Sequence, residues 1–302
     1  MARSAAYRRF LGRHEADYHD TLPGSDDNLV ERLRNAEIAI NIRSSCRFTA
    51  AVFDACPKLK MVSIWGTGTD NIDLDAAASH GVTITNTPGV AAPSIAEHTL
   101  ALLMAVARKI PRLDAEVREG KWPRGQMTML AGKTVGVIGL GAIGLRFANL
   151  ARAIGMRVIA WTMNPRDLGF ELVPLETLLA ESDVVSVHLR LSDRTKGFLG
   201  RAELAKMKPG ALLINTARGP IVDEGALMEA LRGGQLGGAG LDVFDMEPLP
   251  KGHPLTGLDN VVLSPHCAGI TPEVLEAGLA LALDNVERFL EGRPQHVVTA
   301  QK

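Results

Sequence analysis

The stretch "KTVGVIGLGAIGLRFANLARAIG", residues 133 to 155, constrains the fold more than any other part of the chain. A run of Val and Ile passes into Gly139, Gly141 and Gly144, and an amphipathic helical pattern follows without a gap. G-x-G-x-x-G is a weak signal alone, but between a strand and a helix it marks a dinucleotide-binding βαβ unit. Gly139 permits the tight turn, Gly141 lets backbone approach a diphosphate, and Gly144 lets helix and strand pack closely. Gly139, Leu140, Gly141, Ala142 and Ile143 are the predicted cradle, where free N–H groups and the helix dipole favour an anion.

The same alternation runs through most of the chain. "EIAINI", "LKMVSIW", "GVTIT", "KTVGVIG", "RVIAW", "DVVSVHL", "ALLINTA", "AGLDVF" and "NVVLSPH" are short apolar runs separated by helix-length segments. Such runs read as parallel strands covered by helices on both faces, an α/β protein. A length of 302 residues fits two domains. The boundary signal is "NTPGVAAPSIAEHTLALLMAVARKIPRL", where a Pro/Gly loop gives way to a long apolar helix; Ser94 and Glu97 read as a capping box that starts it. A second long pattern, "TPEVLEAGLALALDNVERFLEG", is expected to return the chain to the first domain. The cofactor domain is therefore placed at residues 93–271, inserted into a discontinuous partner of residues 1–92 and 272–302.

Composition narrows the partners. A formal net charge of −1 gives no electrostatic reason to expect a nucleic acid or a membrane surface, and no apolar run approaches the ~20 residues that span a bilayer. The expected partner is a small molecule. Cys46, Cys56 and Cys267 form no C-x-x-C pair, so neither a disulfide framework nor a zinc site is expected, and a reducing cytoplasm fits. The opening "MARSAAYRRFLGRHE" lacks the apolar region of a secretory signal.

The fingerprint normally places an acid about 20 residues after the first glycine, to bond the ribose hydroxyls of NAD. From Gly139 through Arg166 there is no Asp or Glu, and Thr162 occupies that position. Thr162, Asn164 and Arg166 can instead donate hydrogen bonds to a 2′-phosphate, which makes the cofactor NAD or NADP with NADP plausible.

Three later stretches each put a charged or titratable residue at the carboxyl end of a predicted strand: Arg218 in "LLINTARGPIVDEGAL", Glu247 in "GLDVFDMEPLP" and His266 in "VVLSPHCAGIT". Ligands of open α/β sheets bind outside those ends. With "GTGTDNIDLDAAASHGVTITNTPGV", "AEHTLALLMAVAR", "GLGAIG", "MKPGALLINTARGPIVDEGAL", "LDVFDMEP" and "SPHCAG" in order, the chain from about residue 36 to 290 resembles the D-2-hydroxyacid dehydrogenase family. The resemblance implies a Rossmann-type cofactor domain inserted into a smaller flavodoxin-like substrate domain, and a homodimer built on the helix from Ser94 and the loop "EGKWPRG". It implies His266 as acid/base, Glu247 as its hydrogen-bond partner, and Arg218 on the substrate carboxylate and carbonyl. Asp242 would contact the nicotinamide carboxamide, with Thr216, Ala217, Ala268, Gly269 and His266 also on the cofactor. Thr67 and Gly68 would give N–H groups to the substrate carboxylate.

The chemistry explains the residue types. Reducing a 2-oxo acid puts a hydride on carbon and a proton on oxygen, which calls for a positioned acid such as an imidazole. A neighbouring carboxylate orients the ring, and a planar guanidinium matches a carboxylate with two parallel bonds. The implied reaction is hydride transfer between NAD(P)H and a small 2-oxo acid of glyoxylate or hydroxypyruvate type, with 3-phosphoglycerate as an alternative substrate. The alternative class is a nucleotide-sensing, corepressor-like binding protein of the same fold. His98, His188 and Cys267 are read as structural, and Met127 to Leu130 as residues near the cleft. Two departures from the family's pattern stand out. Thr162 replaces the acid, and the opening residues lack the usual first apolar strand.

Overall fold

The computed structural model describes residues 4–42 and 46–298. In chain order its elements are α1 (Ala5–Leu11), α2 (Asp26–Leu33), β1 (Ile38–Ile42), α3 (Ala50–Ala55), β2 (Met61–Trp65), α4 (Leu74–Ser79), β3 (Thr83–Thr85), α5 (Ala92–Arg108) and α6 (Ile110–Arg118). There follow β4 (Thr134–Ile138), α7 (Ala142–Ala153), β5 (Arg157–Trp161), β6 (Glu171–Leu172), α8 (Leu175–Glu181), β7 (Val184–Val187) and α9 (Arg201–Lys206). The last are β8 (Ala211–Asn215), α10 (Glu224–Arg232), β9 (Leu236–Leu241), β10 (Val261–Leu263) and α11 (Pro272–Leu290), with short 3-10 turns at Gly219–Ile221 and Pro254–Gly257. The chain divides into two compact units, Met1–Ala91 with Ile270–Lys302, and Ala92–Gly269.

The larger unit is a seven-stranded sheet in the order β10-β9-β8-β7-β4-β5-β6, with every pair parallel. β7 and β8 are buried along their whole length, as strands covered on both faces must be. One core cluster joins Phe147 and Ala148 of α7 and Leu102 and Leu103 of α5 to the sheet. A second joins Leu178, Leu204 and Leu227, from α8, α9 and α10, to the sheet. Strand order reverses between β4 and β7, and the carboxyl ends on either side of that point form the crevice where such sheets bind ligands.

The smaller unit has three parallel strands in the order β1-β2-β3. Among the described residues no strand precedes β1; the chain opens with α1, whose Ala6 and Phe10 pack with Leu279, Leu283 and Val286 of α11. α11 lies close on β2 because Gly278 has no side chain: a Cβ there would come within 2.4 Å of the Trp65 indole nitrogen. The Ser63 hydroxyl donates to the Ala282 carbonyl at 2.9 Å across this buried seam.

The capping box assigned to Ser94 does not form. α5 begins at Ala92, and the Ser94 hydroxyl instead donates to the Ala268 carbonyl at 2.6 Å. Tertiary contact takes the oxygen that the local pattern had assigned to a cap. Among the described residues no helix is long and apolar enough to cross a membrane.

Candidate active site

The glycine turn is shaped as the spacing predicts. Gly139 has φ +99°, a left-handed conformation that other residues rarely adopt, and its N–H donates to the Trp161 carbonyl at 2.7 Å, tying the turn to the end of β5. A Cβ on Gly144 would stand 1.9 Å from the Gly139 carbonyl oxygen, so this glycine is required by helix-to-turn packing. A Cβ on Gly141 would meet nothing within 4 Å. That open space lies at the start of α7, where Leu140 is buried, Ala142 exposed and Ile143 half-buried. The N–H groups of the first helical turn have no intrahelical partner, and such a helix start beside open space is the kind of place that could hold a diphosphate. Thr162 follows Trp161 directly and is half-buried; Asn164 and Arg166 are exposed on the loop beyond.

The catalytic candidates meet at the ends of β8, β9 and β10. The Nδ1 of His266 lies 2.6 Å from Glu247 Oε2, and the Phe244 N–H donates to Glu247 Oε1 at 3.0 Å, so the carboxylate is held from both sides. Burial works against charge on Glu247. The bonds from His266 and the Phe244 N–H, with the charges of His266 and Arg218, outweigh it and hold the carboxyl below its usual range.

Arg218 is brought to the same place by a close approach of backbones. A Cβ on Gly219 would lie 2.0 Å from the carbonyl carbon of Phe244, so only glycine lets the turn after β8 nest against the loop carrying Glu247. Asn215, buried at the end of β8, shapes that turn: its Nδ2 donates to the Arg218 carbonyl at 2.9 Å and its Oδ1 accepts from the Ala217 N–H at 3.0 Å. The Arg218 Nη1 donates to the Ala217 carbonyl at 2.8 Å. A pocket of about 600 Å³ opens beside the pair, lined by Phe244, Glu247, Pro248, Leu263, Ser264 and His266 among others.

His266 itself has φ +49°, a left-handed conformation uncommon for a residue with a side chain. Its N–H is held by the carbonyls of Asp242, at 2.8 Å, and Ser264, at 3.1 Å. Asp242 is almost fully buried and accepts from the Ser264 hydroxyl (2.6 Å), the Cys267 N–H (3.0 Å) and the Ala268 N–H (3.0 Å). Burial pushes this carboxyl up, but the bonds from His98, Ser264, Ala268 and Cys267 together prevail and keep it below its ordinary value.

Four of the predicted residues, Arg218, Asp242, Glu247 and His266, thus share one end of the larger sheet. Thr216 and Ala217 are buried beneath them, with the Thr216 hydroxyl 2.8 Å from that of Thr99, while Ala268 is buried and Gly269 half-buried just past His266. Thr67 and Gly68 belong to the smaller unit, on the loop after β2. Asn86 Nδ2 donates to the Thr67 carbonyl at 2.9 Å there, and among the described residues no hydrogen bond uses the N–H of Thr67 or Gly68.

Of the residues expected near the cleft, Met127 and Met129 are exposed and Leu130 is buried. His98, taken from the sequence as structural, places Nε2 2.9 Å from the Ser264 hydroxyl and 3.5 Å from Asp242 Oδ1, so it supports the buried carboxylate. Asn215 was missed altogether. Its one signal was a polar residue closing an otherwise apolar strand run.

The chain is similar to known proteins along most of its length. Residues 100–268 match the family model described as "D-isomer specific 2-hydroxyacid dehydrogenase, NAD binding domain". The chain is 40% identical to a glyoxylate reductase of Korarchaeum cryptofilum, across 94% of this chain and 89% of that one. It is 39% identical to a glycerate dehydrogenase of Methylorubrum extorquens, across 98% and 96%. Among solved structures, an acyclic imino acid reductase in complex with NADPH and D-Arg superposes with a TM-score of 0.90 at 31% identity, covering 98% of this chain and 95% of that one.

Proposed function

The chain belongs to the D-isomer specific 2-hydroxyacid dehydrogenase family, an oxidoreductase family using a nicotinamide cofactor, and from that premise we propose that it reduces glyoxylate, hydroxypyruvate or a 2-oxo acid of similar size. The observation that carries the proposal is the His266–Glu247 pair at 2.6 Å, with Arg218 held on the adjoining turn. A glyoxylate reductase and a glycerate dehydrogenase among the relatives favour the small-acid reading. Nothing in these comparisons supports a corepressor.

When bound, the nicotinamide supplies the hydride. Gly139 to Ile143 would hold the diphosphate, and Thr216, Ala217, Asp242, Ala268 and Gly269 the nicotinamide end. Arg218 binds the substrate carboxylate and carbonyl, and its charge stabilises the oxygen as negative charge develops there. The N–H groups of Thr67 and Gly68 are assigned to the same carboxylate. His266, oriented by Glu247 through Nδ1, presents Nε2 and hands its proton to the carbonyl oxygen; the reverse direction returns it. Glu247, a carboxylate held ionised, balances the imidazolium charge before transfer.

The cofactor proposed is NADPH in preference to NADH. Thr162 offers a hydroxyl where an acid would repel a 2′-phosphate, and of the structural relatives with a bound nucleotide one holds NADPH while two hold NAD, so the assignment rests on Thr162. The assembly proposed is a homodimer in the cytoplasm. No residue of α6 is buried, and Ile110, Val117, Trp122, Met127 and Met129 leave a run of large apolar side chains in water. Light scattering of the purified protein reads the mass directly, and a monomer rejects the dimer.

The decisive assay follows oxidation of NADH and NADPH with a panel of 2-oxo acids, including 3-phosphohydroxypyruvate, for the wild type and His266→Ala. No turnover with any acid and either nucleotide rejects the enzyme reading. Thr162→Asp is expected to raise KM for NADPH far more than KM for NADH, and equal effects reject the 2′-phosphate assignment.

A further inference from the structure

Two loops leave the sheet on either side of β4: residues 162–170 after β5 and residues 188–200 after β7. Neighbouring strands lie about 4.8 Å apart, so the two exits are only about 10 Å from each other. The loops are also tied together, because Trp161 at the end of β5 stacks on Phe198, with ring centroids 5.0 Å apart.

The loop after β7 is a rigid platform. Thr195 is buried, and its Oγ1 donates to the Arg190 carbonyl at 2.6 Å and accepts from the Ser192 N–H at 2.8 Å. The N–H groups of Thr195 and Lys196 both donate to the Ser192 carbonyl, each at 2.9 Å. Leu189 and Leu191 pack on the core, and a Cβ at Gly139 would stand 2.7 Å from the His188 carbonyl oxygen, which places this loop directly against the glycine turn. The loop backbone is thereby fixed, while the side chains of Arg190 and Arg194 are exposed.

Arg190 and Arg194 share one further property with Arg166 on the opposite loop. Among the described residues none of the three has an ion pair with a carboxylate, whereas Arg112, Arg118, Arg157 and Arg201 each have one. Asp167, the nearest acid to Arg166 in sequence, is turned to the Gly169 N–H at 3.1 Å. Three guanidiniums without a carboxylate partner on two tied loops leave positive charge that an anion bound between the loops would neutralise.

We propose that Arg190 and Arg194 close, from the β7 side, a clamp on the adenosine 2′-phosphate whose β5 side is Thr162, Asn164 and Arg166. The proposal rests on the NADPH reading above and adds to it a second loop that selects the cofactor. A guanidinium meets a phosphate through two parallel charge-assisted bonds, so each arm contributes a directed contact as well as charge.

The test uses adenosine 2′,5′-bisphosphate and 5′-AMP, two probes differing only by the 2′-phosphate, titrated calorimetrically into the whole protein. The wild type is expected to bind the bisphosphate at least about tenfold more tightly than 5′-AMP, one charged bond pair being worth roughly that ratio. Arg190→Gln with Arg194→Gln should remove most of the ratio, leave 5′-AMP affinity and Tm unchanged, and flatten the salt dependence of bisphosphate binding. Both side chains are exposed, so the double variant should fold. A wild-type ratio near one overturns the 2′-phosphate reading and the clamp with it. A wild-type preference lost in Arg166→Gln but kept in the double variant leaves that reading standing and overturns the clamp alone.

Discussion

Gly141 and Gly144 belong to one motif, yet their replacement by alanine should fail in opposite ways. At Gly144 the new methyl would meet the Gly139 carbonyl oxygen at 1.9 Å. Real contacts of this kind stay beyond 3.0 Å, so α7 or the turn must move by more than 1 Å. α7 is locked by the buried Phe147, Ala148 and Ala151, and overpacking of a closed core costs about 3 kcal/mol at the upper end of its usual range. For a domain of this size that lowers Tm by roughly 6–12 °C. At Gly141 the backbone has φ −74°, which alanine adopts freely, and nothing lies within 4 Å. Gly141→Ala should therefore keep Tm, or raise it slightly through a stiffer unfolded chain. Its methyl stands in the space assigned to the diphosphate, and both NADH and NADPH should bind at least about tenfold more weakly. Differential scanning fluorimetry and nucleotide fluorescence titration read the two effects separately. A Gly141→Ala protein that melts as early as Gly144→Ala, or binds both nucleotides like the wild type, refutes the division of roles.

Glu247→Gln should keep the fold, because the amide oxygen can still accept from the Phe244 N–H, but kcat should fall by about 10² as the imidazolium loses its partner; unchanged kcat across pH 5 to 9 would be the contrary result. Half-buried His188 has its pKa pulled down to about 3 by desolvation of its ring, whose enclosed Nδ1 finds no hydrogen-bond partner. Because this folded value lies below the unfolded one near 6.5, His188 stays neutral while the unfolded chain takes up a proton. Stability is thus full above about pH 6.5 and falls by up to about 1.4 kcal/mol per pH unit below it. Denaturant melts at pH 7 and pH 5 should show His188→Gln losing about 2 kcal/mol less than the wild type over that interval, and parallel losses would rule the histidine out. Gly219→Ala, whose Cβ would press on the Phe244 carbonyl, should part Arg218 from Glu247 and raise KM for the 2-oxo acid more than KM for the nucleotide; the reverse split would contradict this.

The strands of the larger sheet were legible because burial on both faces demands continuous Val and Ile, and a glycine at the end of β4 leaves few alternatives to a phosphate turn. β6 was not, since two exposed residues on an edge carry no pattern. The start of α5 was misread for a different reason. Ser94 and Glu97 have the spacing of a cap, but the acceptor for the Ser94 hydroxyl is Ala268, which no local rule can see. At the opening of the chain the absence of an apolar run suggested a missing strand; Ala6 and Phe10, four residues apart, instead form a helix face that α11 covers. Arg218, Glu247 and His266 could be singled out because charged or titratable residues at three strand ends coincide with the motif order of the family the chain resembles, whereas Asn215 and His98 act by shaping or supporting those neighbours, and that role exists only in three dimensions.

Reduction of a carbonyl delivers a hydride and a proton to adjacent atoms, so the groups guiding each must hold a fixed relation. Asp242 connects the residues assigned to those tasks. Its N–H is anchored on the Asn215 carbonyl at 3.0 Å, its carbonyl holds the His266 N–H, and its carboxylate gathers Ser264, Cys267 and Ala268 on the side assigned to the nicotinamide. The left-handed backbone of His266 is a strained conformation that persists only where neighbours over-determine it, and these bonds do so. The imidazole is therefore set by the same buried residue assigned to the cofactor's reactive end. Asn215 extends the tie to Arg218, whose carbonyl it holds. The residues assigned as proton donor, guanidinium and nicotinamide site then rest on adjoining strand ends of one parallel sheet, and their spacing is fixed by backbone hydrogen bonds together with the buried side chains of Asp242 and Asn215.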